Sequence, residues 1–505
     1  MRTTHYTLLF LFFFYFALYG LVNYPAISQA WWYRDDFPLT ETPRPNKGQL
    51  DTLNHGRPIN YLLLATYQWE TGEQWAAVNI SLRLFQVAFH ALAATVASAL
   101  LARKRQDWSS YAAVLIFLLY PFNGEAVLWR SAALNPLAAF FSLLGVGLIR
   151  YALPGGQSAP SAAHLRERKR LGTRVAQMSG FSLIALAMLT HQQAALAGLV
   201  VWVLSLGFQA LQQQPLSAIW WRTSAWILSG YLAGIGLSRF CIYLFFGSAG
   251  RAALTTDWFS KADLALTLNR LYLWSDYYPN WLAALHLLLL VGGLGVAGRH
   301  WISQRRRNAG WMPVAALTSL LILPYAIVLL TVESWPAWRV TYLAPFVMIG
   351  AWLFLDQSLA THPRSRLLNG ILLALLLVGY LPIAWTNSAE YVFVFEQDLA
   401  QMKAVETWAM QQPESPAAIV VATAPAYMRT WNPYGITYLQ ADSKVSAFLA
   451  DWTIAPLVAF FTDLTPQQQN AETKQACVQF CLRPPNQQPF FLSLLPPDNT
   501  VCVCP

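Results

Sequence analysis

Apolar runs long enough to cross a bilayer recur along most of the chain, and that recurrence limits its fold more than any other feature. A spanning helix needs about 17–25 mostly apolar residues. Windows of this kind fall near 6–26, 76–101, 108–122, 126–150, 177–191, 194–212, 223–247, 281–298, 312–332, 340–358 and 367–386. The runs at 108–122 and 177–191 are the shortest. Only 11% of the 505 residues are charged, against about 25% in a soluble domain. A water-soluble core has no room for so many apolar runs. The expectation is an all-α polytopic membrane protein with about 11 transmembrane helices.

Basic residues set the expected orientation. Arg103-Lys104-Arg105, the cluster from Arg166 to Arg174, Arg222, Arg299 with Arg305-Arg306-Arg307, and Arg364 with Arg366 fall in alternate loops. Together with Arg2 they place the N-terminus in the cytoplasm. Ser28-Gln29-Ala30 loosely resembles a signal cleavage site. The apolar run before it is longer than a signal core of about 7–15 residues, so an uncleaved first helix is the favoured reading.

The chain changes character after the last window. From Asn387 onward there are five Lys/Arg against ten Asp/Glu, although the whole chain carries a net +9. This divides it into a transmembrane domain, 1–386, and an extracytoplasmic domain, 387–505. The tail combines a helical stretch near 388–411 with β-like runs such as Ala418–Ala422, which reads as a small α+β cap. Four of the five cysteines lie there, Cys477, Cys481, Cys502 and Cys504. An even cysteine number in an extracytoplasmic segment reads as disulfides. A bond within Cys502-Val503-Cys504 would be strained, so two bonds joining the 477/481 pair to the 502/504 pair are favoured. A metal site is the rival reading. Cys241 lies inside a window and reads as a buried apolar residue.

Two adjacent carboxylates, Asp35 and Asp36, stand just past the first window in Trp31-Trp32-Tyr33-Arg34-Asp35-Asp36-Phe37. Carboxylates at a membrane boundary are costly unless they bind or react. The second window carries Asn79, Arg83, Gln86 and His90 at i, i+4, i+7 and i+11, which puts them on one helical face. That face must look toward a partner or a wet cavity, and plain helix–helix hydrogen bonding is the competing reading. Arg57, Arg130, Arg251, Arg270 and Arg339 fall on the outer side, against the usual charge bias, and arginine is suited to holding phosphate. For each of them a salt bridge or headgroup contact competes. Glu125 follows a short turn, Tyr120-Pro121-Phe122-Asn123-Gly124, that would hold it close to the membrane surface.

An Asp-Asp pair in the first outer loop resembles the hallmark of the GT-C superfamily of polytopic glycosyltransferases. Gly56-Arg57-Pro58-Ile59-Asn60, the run Arg83 to Leu92 with Gln86 and His90, the turn Tyr120 to Trp129, and Arg339-Val340-Thr341-Tyr342-Leu343-Ala344-Pro345 follow one another as motifs do in the membrane part of TPR-carrying protein O-mannosyltransferases and their bacterial relatives. The likeness covers roughly residues 1–350. Gln86 stands where the family has Asn and Asn123 where it often has His. His191-Gln192 replaces a Lys-Glu pair, and neither the TPR repeats nor a counterpart of the tail is present.

The resemblance implies a membrane glycosyltransferase that moves a sugar from a polyprenyl-phosphate carrier to a glycan, lipid or protein acceptor on the extracytoplasmic face, with inversion. Asp35 would be the general base, with Asp36 and Glu125 beside it. Arg57, Arg83, His90, Arg130, Arg339 and Tyr342 would bind substrate or lipid phosphate. A divalent metal, Mg or Mn, held by Asp35 and Asp36 is left open. Two alternatives compete. An O-antigen-ligase- or polymerase-like glycan transferase would place its functional Arg and His in a large late outer loop. A non-enzymatic transporter or assembly factor would show broken helices and midplane charges.

Overall fold

The computed structural model describes residues 2–28, 50, 53–55, 57–67, 75–102, 108–124, 134–152, 163–212, 218–247, 253–273, 278–304, 310–331, 341–359, 363–411, 418–421, 491–495 and 500–504. Among the described residues the protein is almost wholly helical. Eight stretches are long and apolar enough to cross a membrane, and two further helices are apolar but shorter. The protein is a multi-pass membrane protein.

The chain begins with α1 (Arg2–Val22), α2 (Tyr24–Ser28), α3 (Pro58–Tyr67), α4 (Trp75–Leu101) and α5 (Trp108–Leu118). A 3-10 turn, Pro121–Gly124, precedes α6 (Asn135–Ala152), and α7 (Ala163–Thr190) runs into α8 (Gln192–Ala195) and α9 (Ala197–Leu211). Then come α10 (Ala218–Phe246), α11 (Trp258–Leu273), α12 (Asn280–Gln304), α13 (Met312–Ser319), α14 (Ala326–Leu330), α15 (Pro345–Leu359) and α16 (Pro363–Met410). The window expected near 177–191 is the C-terminal half of α7, whose first half is basic.

Two features depart from a plain bundle of spanning helices. The window near 312–332 is α13, a 3-10 turn at Leu323–Tyr325, and then α14. Pro324 has no N–H to donate, so the ladder cannot continue through it. The window near 194–212 begins with a break at Leu196, where neighbouring side chains serve the backbone. Ser142 Oγ accepts from the Gly198 N–H (3.0 Å), and the Tyr231 hydroxyl accepts from the Leu199 N–H (2.9 Å) while donating to the Ala195 carbonyl (2.9 Å). Away from water, a broken helix is tolerated only where its freed groups find such partners. At the other extreme, Gly247 closes α10 with φ +66°, and its N–H donates to the Tyr243 carbonyl. Asp257 opens α11, where the Ser260 N–H bonds its carboxylate (3.1 Å) and holds its pKa below the usual value.

Small residues bring the helices together, as packing in lipid requires. The α6–α7 crossing places Gly145 against Gly180. A Cβ on either would lie 2.6 Å from the other's carbonyl oxygen. Gly234 of α10 meets Met188 of α7, and Gly293 of α12 meets Ala351 of α15, equally closely. Between them run polar bridges such as the Tyr15 hydroxyl, which bonds Ser98 Oγ (2.9 Å) and the Tyr111 carbonyl (2.8 Å). Large apolar side chains, among them Phe10, Phe13, Leu232, Tyr243 and Phe245, stay exposed on the outside of the bundle, where lipid replaces water.

Helix α16 has 48 residues and carries Pro382 inside it. Its length is about 72 Å, more than twice the hydrocarbon thickness of roughly 30 Å. It therefore continues through residue 386, the expected domain limit, as one element. The stretch expected to be helical near 388–411 is its second half. In the tail, β1 (Ala418–Val421), β2 (Phe491–Leu495) and β3 (Thr500–Cys504) form a sheet of order β1-β3-β2. Strand β1 is parallel and β2 antiparallel to β3, and Cys502 pairs in register with Val420 and Ser493. Cys477 and Cys481 lie outside the described residues.

Candidate functional site at the α1–α2 junction

Helices α1, α5, α7, α10 and α16 run one way and α4, α6, α9, α12 and α15 the other. The end of the bundle where α1 finishes therefore also holds the start of α4, the Pro121–Gly124 turn and the middle of α16. The sequence makes this end polar. Asn23 interrupts the first helix and Pro25 opens the short α2.

Three elements clasp that junction: α4, α16 and the Pro121–Gly124 turn. Arg83, 7% exposed on α4, donates from Nη1 to the Ala26 carbonyl (2.6 Å). The N–H of the same residue, Ala26, donates to Ser388 Oγ on α16 (3.2 Å). Asn23 Nδ2 donates to the Tyr19 carbonyl (3.0 Å), and the Tyr19 hydroxyl donates to the Asn123 carbonyl (2.8 Å). Asn123 Nδ2 caps the end of α5 at the Phe117 carbonyl (2.8 Å), and Asn387 Nδ2 reaches the Pro121 carbonyl (3.3 Å). Gly124 sits so close to Asn23 that a Cβ there would be 3.0 Å from its Oδ1.

Two turns down α4 from Arg83 is His90, fully buried. Its ring stacks between Tyr19 and Phe117, at centroid distances of 4.2 and 4.5 Å. Its Nδ1 shares a hydrogen bond with the Tyr342 hydroxyl (2.9 Å). Nε2 has no hydrogen-bond partner among the described residues. Next to Tyr342, Thr341 Oγ1 bonds the Tyr120 hydroxyl (2.8 Å).

The structure thus joins three of the sequence motifs. The polar face of α4 is inward, with Arg83, Gln86 and His90 all buried. His90 and Tyr342 touch, and Arg83 lies on the same face. Asp35, Asp36, Glu125, Arg130, Arg251 and Arg339 lie outside the described residues, as do all the ligands expected for a divalent metal. Among the described residues no group of three His, Cys, Asp or Glu side chains stands close enough to hold a metal ion.

Arg57 is placed elsewhere. Its Nε donates to Gln192 Oε1 (3.3 Å), and Gln192 Nε2 donates in turn to Ser238 Oγ (3.1 Å) and the His55 carbonyl (3.0 Å). These residues line a cleft of about 100 Å³ with Arg239. Sequence reasoning passed over Arg239, although it is the one formal charge within the 223–247 window. A lone intramembrane arginine is itself a functional signal. His191 accepts the Ala194 N–H and caps α8.

The sequence matches no protein-family model, and no curated protein matches it significantly.

Proposed function

We propose that this protein is a GT-C-like membrane glycosyltransferase. It takes a sugar from a polyprenyl-phosphate carrier and transfers it, with inversion, to an acceptor hydroxyl on the extracytoplasmic face. In this reading the N-terminus is cytoplasmic, residues 1–386 form the transferase and 387–505 a disulfide-containing cap. Asp35 accepts the acceptor's proton, which requires hydrogen-bond reach to that hydroxyl. Asp36 and Glu125 support it, and arginines offset the negative charge growing on the departing lipid phosphate.

One observation carries the reading. The α1–α2 junction, from which the chain leads to Asp35-Asp36, is held at Ala26 by Arg83 on one side and Ser388 on the other. The turn that leads to Glu125 packs on the same junction through Asn23, Tyr19 and Gly124. Thr341 and Tyr342, two and three residues after Arg339, bond Tyr120 and His90. Motifs far apart in sequence thus meet at one end of the bundle. A clasped junction at Ala26 suits a base that must hold its geometry.

The test replaces Asp35 or Asp36 with Asn and follows sugar transfer from polyprenyl-phosphate sugars in membranes. Loss of a general base lowers the rate by about 10²–10⁴-fold, so D35N is expected to fall by that much at unchanged protein level. Transfer by D35N and D36N at the wild-type rate would overturn the assignment.

A further inference from the structure

We propose that the cleft between α7–α8, α10 and α14 is a binding site for the phosphate group of a membrane lipid. The cleft is separate from the α1–α2 junction and involves none of the residues assigned to proton transfer.

Two cations line it. Arg57 arrives from the segment before α3, and Arg239 stands on α10, seven residues before the helix ends at Phe246. That places Arg239 about 10 Å below the helix end, inside an apolar span. A charge at such depth is costly and is kept where it faces a partner or a wet cavity. The Arg239 guanidinium has no hydrogen-bond or ion-pair partner among the described residues, and none of the described residues lining the cleft is acidic. A cleft whose described lining holds the Arg239 charge and no carboxylate is suited to an anion from outside.

The remaining lining fits an oxyanion. Arg57 is aimed by Gln192, which also bonds Ser238 on α10, the neighbour of Arg239. The guanidinium orientation is therefore set before any ligand arrives, which lowers the ordering cost of binding. Thr331 adds a hydroxyl at the end of α14. Arginine binds phosphate oxygens through paired N–H groups, and two arginines with hydroxyls nearby form a common phosphate cradle. Behind the wall, buried Lys261 donates from Nζ to the Val328 carbonyl (3.1 Å), and its charge faces that of Asp257 at the start of α11.

The rim specifies a lipid. Leu254, Leu330 and Ile235 line the cleft and remain 71%, 43% and 38% exposed. The Leu254 segment is fastened to α14 by the Thr255 N–H, which donates to the Leu330 carbonyl (3.1 Å). A headgroup in the cradle would thus lie beside an apolar lip where a hydrocarbon tail can run. The volume suits a phosphate group, with the tail left outside. The phosphate has two sources, a polyprenyl monophosphate carrier or a bilayer phospholipid, and the test separates them.

The experiment uses the full chain in a phosphate-free maltoside detergent. Bound lipid is read by native mass spectrometry after adding undecaprenyl monophosphate, phosphatidylglycerol, undecaprenol or inorganic phosphate. Wild type is expected to retain at least one of the two phosphate lipids and to bind undecaprenol at least tenfold more weakly. R239Q should weaken the retained lipid about tenfold and R57Q/R239Q further. R239K, which keeps the charge, should restore part of the loss. Which lipid responds names the source. Wild-type retention by R239Q, equal binding of undecaprenol, or binding of inorganic phosphate alone would each overturn the proposal. R239Q breaks no hydrogen bond among the described residues, so it reports binding even if the double variant folds poorly. D35N is expected to bind the lipid as wild type does, so loss of the transfer reading would leave this site standing.

Discussion

Arg83 and His90 share one helix face, yet they are held in different ways. Arg83 spends one donor on the Ala26 carbonyl and so fixes the path of the chain after α1. His90 is sandwiched between two rings and holds Tyr342. Replacing Tyr342 with Phe removes that hydroxyl and leaves His90 Nδ1 with no partner in a dry site. The expected cost is about 0.6–2 kcal/mol, measured as a lower midpoint of thermal unfolding in detergent; an unchanged midpoint would mean the bond contributes nothing. The spacing of Arg83, Gln86 and His90 made their common inward face legible from sequence alone. Their partners were not legible, because Ala26, Ser388 and Tyr342 are brought to them by other helices. Arg239 was visible as a charge in an apolar window, but its meaning depends on Arg57 and Gln192, which arrive from distant parts of the chain.

Among the elements, α6 and α7 cross closely at Gly145 and Gly180. That geometry depends on Gly145 and Gly180 having no side chains. Gly180→Val would drive methyl groups into the Gly145 carbonyl, and overpacking of this kind costs about 1–3 kcal/mol. The expected result is a smaller yield of monodisperse protein and a lower unfolding midpoint, with Gly172→Val as the control, since a Cβ at Gly172 meets nothing within 4 Å. Helix α16 makes a second prediction. Asn387 and Ser388 bond Pro121 and Ala26, so a chain cut after residue 386 loses both clasps and one cut after 411 keeps them. The longer piece should be the more stable by thermal unfolding in detergent, and equal midpoints would refute the clasps. Apolar windows located helices in every expected region. They did not reveal the interruptions at Leu196 and Leu320–Pro324, since hydropathy averages over residues and a break is decided by one missing N–H or by Tyr231 and Ser142 across the bundle. The expected limit at 386 failed to coincide with an element end for a similar reason. Composition changes there, but helix propensity does not.

For the molecule as a whole, the last long helix returns to the first: α16 contacts α1 and α2. The region around the end of α1 is tied by bonds between residues 57, 104, 252 and 362 positions apart in sequence: Arg83–Ala26, Tyr19–Asn123, His90–Tyr342 and Ser388–Ala26. Exposed Trp258, Phe259 and Leu266 on α11, which is not among the spanning stretches, fit a helix lying along the membrane interface. The Ala26–Ser388 bond has a consequence in time. At roughly 5–20 residues per second of synthesis, about 20–70 s separate the appearance of Ala26 from that of Ser388. During that interval Ala26 is without its Ser388 partner. The polar corner is completed only when the final span enters, so a nascent or prematurely terminated chain never carries a finished one.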